Sequence, residues 1–233
     1  MREILCEQGT AQWLEARHGK ITASRIKDVL DHIKTGEGAK RRNYRIEQMA
    51  ERLSGRSEDH YTSPEMMWGT EMEPYARAAY EVESGNMVDQ VGFVLHPTFD
   101  FAGASPDGLI GQHGCFEAKC PKTTTHLKWM MAGIVPEEHQ DQCLWVMRCA
   151  GREWCDFVSY DPRLPKGLKL FTQRLMRDEE RIQKIEAAVI AFNDEIEAAL
   201  APLRALVIPE TKPVEDTRSA YEQVYEMIGE LIP

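Results

Sequence analysis

The apolar period of the chain changes near residue 86, and that change confines the fold to the α/β class. Upstream, apolar residues recur at helical spacing. Thr22 is placed to cap a helix through Ile26, Val29, Leu30 and Ile33. After a loop over about 34–40, a second helix covers about 42–53 and stops near Gly55, and a third runs from about 68 to 84 with Gly85 as its stop signal. From 86 onward the pattern alternates. Segments 86–96, 100–104, 108–110 and 115–120 read as short strands divided by turn residues. Helices over about 124–132 and 136–149 follow, then strands over 153–160 and 168–175. A long helix over 176–203 carries Ile182, Ile185, Val189, Phe192 and Ile196 on one side. The expected architecture is α/β, a central mixed twisted sheet flanked by helices. Residues 1–205 form the main domain. Residues 206–233 form a Pro-containing linker and a short helix around 217–231, a docking or oligomer-contact element.

A chain of 233 residues, 42% of them hydrophobic, can bury a sizeable core. No run approaches the roughly 18 apolar residues of a membrane span, and the start MREILCEQGTAQW lacks the basic and apolar blocks of a signal peptide. The expected compartment is the cytoplasm, with no membrane partner. There the six cysteines read as reduced thiols, since none forms a C-x-x-C pair or a zinc-type cluster.

The net charge of −10 is unevenly spread. Residues 17–56 hold eleven Lys/Arg against five Asp/Glu, a local +6, and residues 177–233 hold six against thirteen, a local −7. A focused basic surface can bind phosphates while an acidic face keeps the molecule soluble. Lys40, Arg41, Arg42 and Arg45 could line a DNA path or form a plain solvated helix face.

The chemistry concentrates between Ser105 and Pro121. Asp107-Gly108 begins one strand, Gly111–Gly114 makes a turn, and the next strand carries Glu117 and Lys119. Strand residues two apart share a face, so Glu117 and Lys119 point one way and Ala118 points into the fold. A hairpin could bring Asp107 beside them. Carboxylates are hard ligands for Mg²⁺, which keeps several waters and accepts phosphate oxygens. Two acids and an amine on one strand edge therefore suit phosphodiester hydrolysis. Lys119 could orient or deprotonate a water or stabilise charge, and a nearby metal and burial would both push its pKa down. His113 and His139 read as solvent or packing residues, and Trp129, Met130 and Met131 as core packing ahead of DNA contact.

The pattern P-D-x(9)-E-A-K resembles the signature of the PD-(D/E)XK nuclease superfamily. More narrowly, residues 10–165 resemble viral recombination nucleases of the phage lambda exonuclease type. The blocks are Trp13-x-x-x-Arg17-x-Gly19-x-Ile21-Thr22-Ala23-Ser24, Trp68-Gly69-x-x-x-Glu73, Ser105-Pro106-Asp107-Gly108, Glu117-x-Lys119-Cys120-Pro121, Gln140-x-Gln142 and Tyr160-Asp161-Pro162-Arg163.

This resemblance implies roles residue by residue. Asp107, Glu117 and the Ala118 carbonyl match metal ligands, Lys119 the catalytic lysine, and Glu73 an additional acid that binds metal or its water. Gln140 matches a glutamine that positions the nucleophile or Lys119, with Gln142 its rival, since residues two apart on a helix cannot share a face. Arg17, Ser24 and Ser105 match a pocket for the 5′-phosphate. Independently of the family, Ser24 falls in the first turn of an expected helix, where free N–H groups favour an anion. Arg17 offers a bidentate charged clamp. The implied cofactor is Mg²⁺, two ions, with Mn²⁺ as a substitute. The implied activity is 5′→3′ exonuclease action on linear double-stranded DNA that leaves 3′ single-stranded overhangs for recombination. A homotrimeric ring and a phage single-strand annealing protein are the implied partners. An endonuclease on the same core, or a non-catalytic DNA-end-binding module, is the alternative.

Overall fold

The computed structural model describes residues 1–34, 36–56 and 63–207. The order of elements is β1 (Arg2–Ile4), α1 (Ala11–Arg17), β2 (Ile21–Thr22), a 3₁₀ turn (Ala23–Arg25), α2 (Ile26–Val29), β3 (His32–Ile33), β4 (Gly36–Glu37), α3 (Ala39–Ser54) and α4 (Pro64–Ser84). There follow β5 (Phe93–Leu95), β6 (Ala102–Ala104), β7 (Gly108–Ile110), β8 (Gly114–Lys119), α5 (Thr123–Ala132), α6 (Glu137–Ala150), β9 (Trp154–Tyr160), β10 (Leu170–Met176) and α7 (Glu179–Arg204).

The α/β expectation agrees with this order, and the sheet comes in two four-stranded mixed parts, β1-β5-β6-β2 and β10-β9-β8-β7. The pairs β2–β6 and β8–β9 are parallel and the rest antiparallel. One bridge, Asp89 to Leu109, ties the approach to β5 onto β7. There Gly108 is required, because a Cβ would collide with the side chain of Val88. Alternating side chains give β8 two lives. Cys115 packs into the larger core cluster, which includes Cys143 to Met147 of α6, while Phe116 and Ala118 pack with Ala76 and Tyr80 of α4. The α7 row of Ile182, Ile185, Val189, Phe192 and Ile196 is fully buried. Each such side chain gains about 1.5–3 kcal/mol from leaving water.

Three local expectations change. The helix expected from Thr22 to Ile33 shrinks to the 3₁₀ turn plus one turn of α2. Ile33 is exposed on a two-stranded ribbon, β3–β4, that occupies part of the expected loop. Of the strand expected over 86–96, only Phe93–Leu95 pairs. The long helix begins at Glu179 because β10 extends through Met176. Helices α3 and α4 end as expected on left-handed glycines, Gly55 and Gly85.

The chain divides into a unit over Met1–Ala201 and a second over Pro202–Pro233. Residues 208–233, among them the helix expected around 217–231, lie outside the described residues. All six cysteines are free thiols. Among the described residues no helix is long and apolar enough to cross a membrane.

Candidate active site

The site forms where β7 and β8 part. Their antiparallel ladder runs from Ile110–Gly114 to Gly108–Phe116 and stops there. One residue earlier stands Asp107, preceded by Pro106, which has no N–H to lend. The Asp107 carboxylate takes over instead, as Oδ2 accepts the Ala118 N–H at 2.8 Å. A strand residue projects its N–H and C=O to the same edge. The Ala118 carbonyl therefore also faces the opening beside Asp107, opposite its β9 pairing.

Glu117 and Lys119 share the other side of β8, and Lys119 Nζ donates to Glu117 Oε1 at 2.5 Å. Glu117 is fully buried, whereas the Lys119 side chain keeps 29% of its surface. Burial and the neighbouring Asp107 push Glu117 up to about 7, against the opposing pull of Lys119. Burial and Asp107 likewise push Glu73, on α4, up to about 7. Burial lifts Asp107 above the usual carboxylate range, resisted by Lys119, the Ala118 N–H and Arg77. Lys119 is moved by two opposed effects. Burial works to lower it, and the Glu117 and Asp107 charges outweigh burial and hold it above its ordinary value. The sequence-based expectation of a lowered lysine pKa is thus reversed in the chain on its own.

Three crowded acids of raised proton affinity are what a bound cation would relieve. Glu117 Oε2 is buried with no hydrogen-bond partner, an acceptor left open while Oε1 takes the amine. Among the described residues no cluster of three or more His, Cys, Asp or Glu converges tightly enough to enclose a metal. The donor set of Asp107, Glu117 and the Ala118 carbonyl fits a hard divalent ion, with Glu73 near enough to Asp107 to feel its charge.

The acids share a recess with residues of the N-terminal segment. A cavity of about 180 Å³ is lined by Arg17, Ser24 and Ser105 together with Asp107, Glu117, Lys119 and Gln142. Arg17 Nη1 and Trp13 Nε1 each donate to Ser105 Oγ at 2.9 Å, and the guanidinium stacks over the Trp13 ring at 4.2 Å. The turn after Arg17 is pinned to α3: Gly19 N donates to Glu51 Oε2, and Arg52 Nε donates to Gly19 O. Arg17 is therefore aimed by both α1 and α3. Ser24 is exposed on the 3₁₀ turn, its Oγ 3.5 Å from Thr22 Oγ1. The anion-favouring helix start argued for Ser24 from sequence is reduced accordingly, since three residues of 3₁₀ helix carry little dipole.

The structure separates the two glutamines. Gln142 Nε2 donates to Glu117 Oε1. Gln140 turns away, its Nε2 donating to Val135 O at 2.9 Å. Gln140, assigned to the site from the family pattern, is therefore corrected to a residue that ties α6 to the preceding loop. Two residues of helix is 200° of rotation, so only one of the pair can face β8. Two other residues went unassigned in the sequence. Trp13 lay in a family block but carried no role there. Gln8 Nε2 spans Val91 O and Pro106 O at 2.9 and 2.7 Å and braces the loop before Asp107. Nothing in the sequence around Gln8 marked it. Of the basic residues on α3, Arg41 and Arg45 are engaged by Glu37 and Glu195 and Arg52 by Gly19, Asn193 and Glu197, leaving Lys40 and Arg42 exposed.

A family model, the YqaJ-like viral recombinase domain, matches residues 12–153. Among solved structures, the chain is similar to an alkaline exonuclease, LHK-Exo, from Laribacter hongkongensis. Identity is 45% over 84% of this chain and 97% of that one, with a TM-score of 0.78. The same enzyme in complex with dAMP gives 44% identity, the same coverage and a TM-score of 0.79. A phage related exonuclease from Haemophilus somnus 129PT is 16% identical over 80% of this chain and 97% of that one. Its TM-score of 0.64 is a likeness of fold alone. No curated protein matches the chain.

Proposed function

The chain belongs to the YqaJ-like viral recombinase family, and from that premise we propose that it is a divalent-metal-dependent exonuclease that degrades linear double-stranded DNA from its 5′ ends. The observation that carries the reading is the shared cavity. The Arg17–Ser105 recess opens onto Asp107, Glu117 and Lys119, so an end-recognition pocket adjoins the residues suited to cutting. An endonuclease has no use for a terminal-phosphate pocket, and a binding module has no use for the acids. The similarity to an alkaline exonuclease supports the same reading.

In this proposal Arg17, Ser24 and Ser105 bind the terminal 5′-phosphate, Arg17 by a charge-assisted bond. Asp107, Glu117 and the Ala118 carbonyl hold Mg²⁺, with Mn²⁺ able to replace it, and Glu73 assists a second ion or its water. Bound there, the metal supplies Lewis-acid stabilisation of phosphate charge and acidifies water. Lys119 holds its proton at the oxygen that gains negative charge. Gln142, in place of Gln140, orients Glu117. Release of 5′-mononucleotides leaves a 3′ single-stranded overhang for recombination by annealing. A homotrimeric ring around the duplex and a phage single-strand annealing protein complete the proposed assembly, with residues 206–233 as a docking or oligomer-contact element.

The test uses a linear duplex labelled at either end, a closed circle of the same sequence, and Mg²⁺ or EDTA. Release of label from 5′-phosphorylated linear DNA, only with metal, is the expected result. Efficient cutting of the closed circle would sink the exonuclease reading and favour the endonuclease.

A further inference from the structure

His139 sits on α6 three residues before Gln142, so the two side chains rise from one face of the helix. Its ring meets Trp129 edge-on, with centroids 5.3 Å apart, and stacks on Phe157 at 5.4 Å and 24°. Phe157 is the register partner of Glu117 across the parallel β8–β9 pair. The imidazole is thus fixed next to the strand position that carries the buried carboxylate. Packing alone would ask only for an aromatic ring there.

The polar contacts ask for more. Gln142 Nε2 donates to Glu117 Oε1, and the His139 ring, three residues earlier on the same helix face, lies within reach of the Gln142 amide. The two ends of a primary amide have nearly the same shape but opposite hydrogen-bonding sense. A flipped Gln142 would set its oxygen against the Glu117 carboxylate, so a donor on the amide's far side selects the useful orientation. Burial, with Lys119 and Lys27 adding to it, pushes His139 down to about 3. The ring is therefore neutral and carries one N–H.

We propose that His139 is a positioning residue: its ring N–H donates to the Gln142 amide oxygen and so aims the amide N–H at Glu117 Oε1, which leaves Oε2 open to a divalent cation. The inference deepens the nuclease reading and rests on it for its consequence in catalysis. Contacts between second-layer partners and metal ligands are worth 10–100-fold in metal affinity or activity.

Two variants separate packing from hydrogen bonding. His139→Phe keeps an aromatic ring against Trp129 and Phe157 and removes the donor, and His139→Gln keeps a donor and removes the ring. Mg²⁺ affinity is read by calorimetry on the protein without DNA, and kcat on a linear duplex is read alongside affinity for DNA ends. For His139→Phe the expected result is roughly 10-fold weaker Mg²⁺ binding and roughly 10-fold lower kcat, with end affinity and melting temperature unchanged. His139→Gln recovers most of both. In a Gln142→Leu background, His139→Phe brings no further loss. Wild-type Mg²⁺ affinity and kcat in His139→Phe, or losses that multiply with those of Gln142→Leu, overturn the proposal. A wild-type protein that binds Mg²⁺ yet leaves DNA ends intact overturns the nuclease reading instead, and the calorimetric comparison still decides the role of His139.

Discussion

Glu117 makes the metal-free protein pay at high pH for an acid it needs when metal is bound. Its folded pKa of about 7 lies above the ordinary value near 4.5. Below about pH 4.5 the carboxyl is protonated in folded and unfolded chains alike, and this group costs the fold nothing. Between the two values the folded state binds the extra proton, so stability falls as pH rises, and above about 7 the whole cost is present. At 1.36 kcal/mol for each pH unit between about 4.5 and about 7, the loss is on the order of 3 kcal/mol. For a domain of this size that is about 6–12 °C in melting temperature. The assay is thermal unfolding in EDTA and in Mg²⁺ at about pH 5 and about pH 8. In EDTA the wild-type melting temperature, taken relative to that of Glu117→Gln, falls between the two, and Mg²⁺ restores it at the higher pH far more than at the lower. Glu117→Gln removes its share of the slope and weakens the Mg²⁺ effect, while the shares of Glu73 and Asp107 remain. A slope unchanged by Glu117→Gln would refute the reasoning; the variant is the reference because His96 and His139, held neutral by burial, give a slope of opposite sign.

The other expectations concern single side chains. Lys119→Ala should lower hydrolysis by more than about 100-fold while duplex-end affinity, measured by fluorescence anisotropy in Ca²⁺, stays within a few-fold; retained nuclease activity contradicts the assignment. Arg17→Ala removes a charge-assisted bond worth about 1.5–3 kcal/mol, so the preference for 5′-phosphorylated over 5′-hydroxyl ends in matched digestions should shrink roughly 10- to 100-fold. Equal slowing on both ends would make Arg17 a general backbone or folding contact. Gln142→Leu should reduce kcat about 10-fold and Gln140→Leu should leave it within about twofold, and the reverse order would return the site role to Gln140.

The parts of the site that lie within one element were legible in the sequence. Glu117 and Lys119 share a face because strand side chains alternate, whatever else the fold does. Asp107 could be placed beside them because Gly111–Gly114 leaves room only for a tight hairpin. The phase of a helix is another matter. Gln140 and Gln142 point to opposite sides of α6, and which side meets β8 depends on how Cys143, Leu144 and Met147 seat in the core. Helix ends set by tertiary contact were also beyond the sequence. The apolar spacing through Ile33 continues past α2, but Asp31 turns the chain by accepting the Lys40 N–H, and Ile33 goes to solvent. In the same way, alternation over 86–96 predicts more strand than exists. Gly92 lies so close to the backbone of Ile4 and Cys6 that its Cβ would fall 2.5 Å from the Ile4 oxygen.

The hairpin also explains why a proline precedes the acid. A continued β7–β8 ladder would pair the residue before Asp107 with Ala118 and consume the Ala118 N–H and carbonyl in sheet bonds. Pro106 cannot donate, so the ladder ends at Gly108–Phe116. The freed Ala118 N–H then finds the Asp107 carboxylate, which fixes one of its oxygens, and Gln8 holds the Pro106 carbonyl from the other side. The loss of a single donor thereby frees the Ala118 carbonyl and draws the Asp107 carboxylate in beside Glu117, whose direction the strand alternation already sets. The glycine that follows lets β7 close on Val88. Each residue from Pro106 to Gly108 thus answers a separate steric or hydrogen-bonding demand, and together they open the frayed end of a strand pair at the place proposed to hold a hard cation.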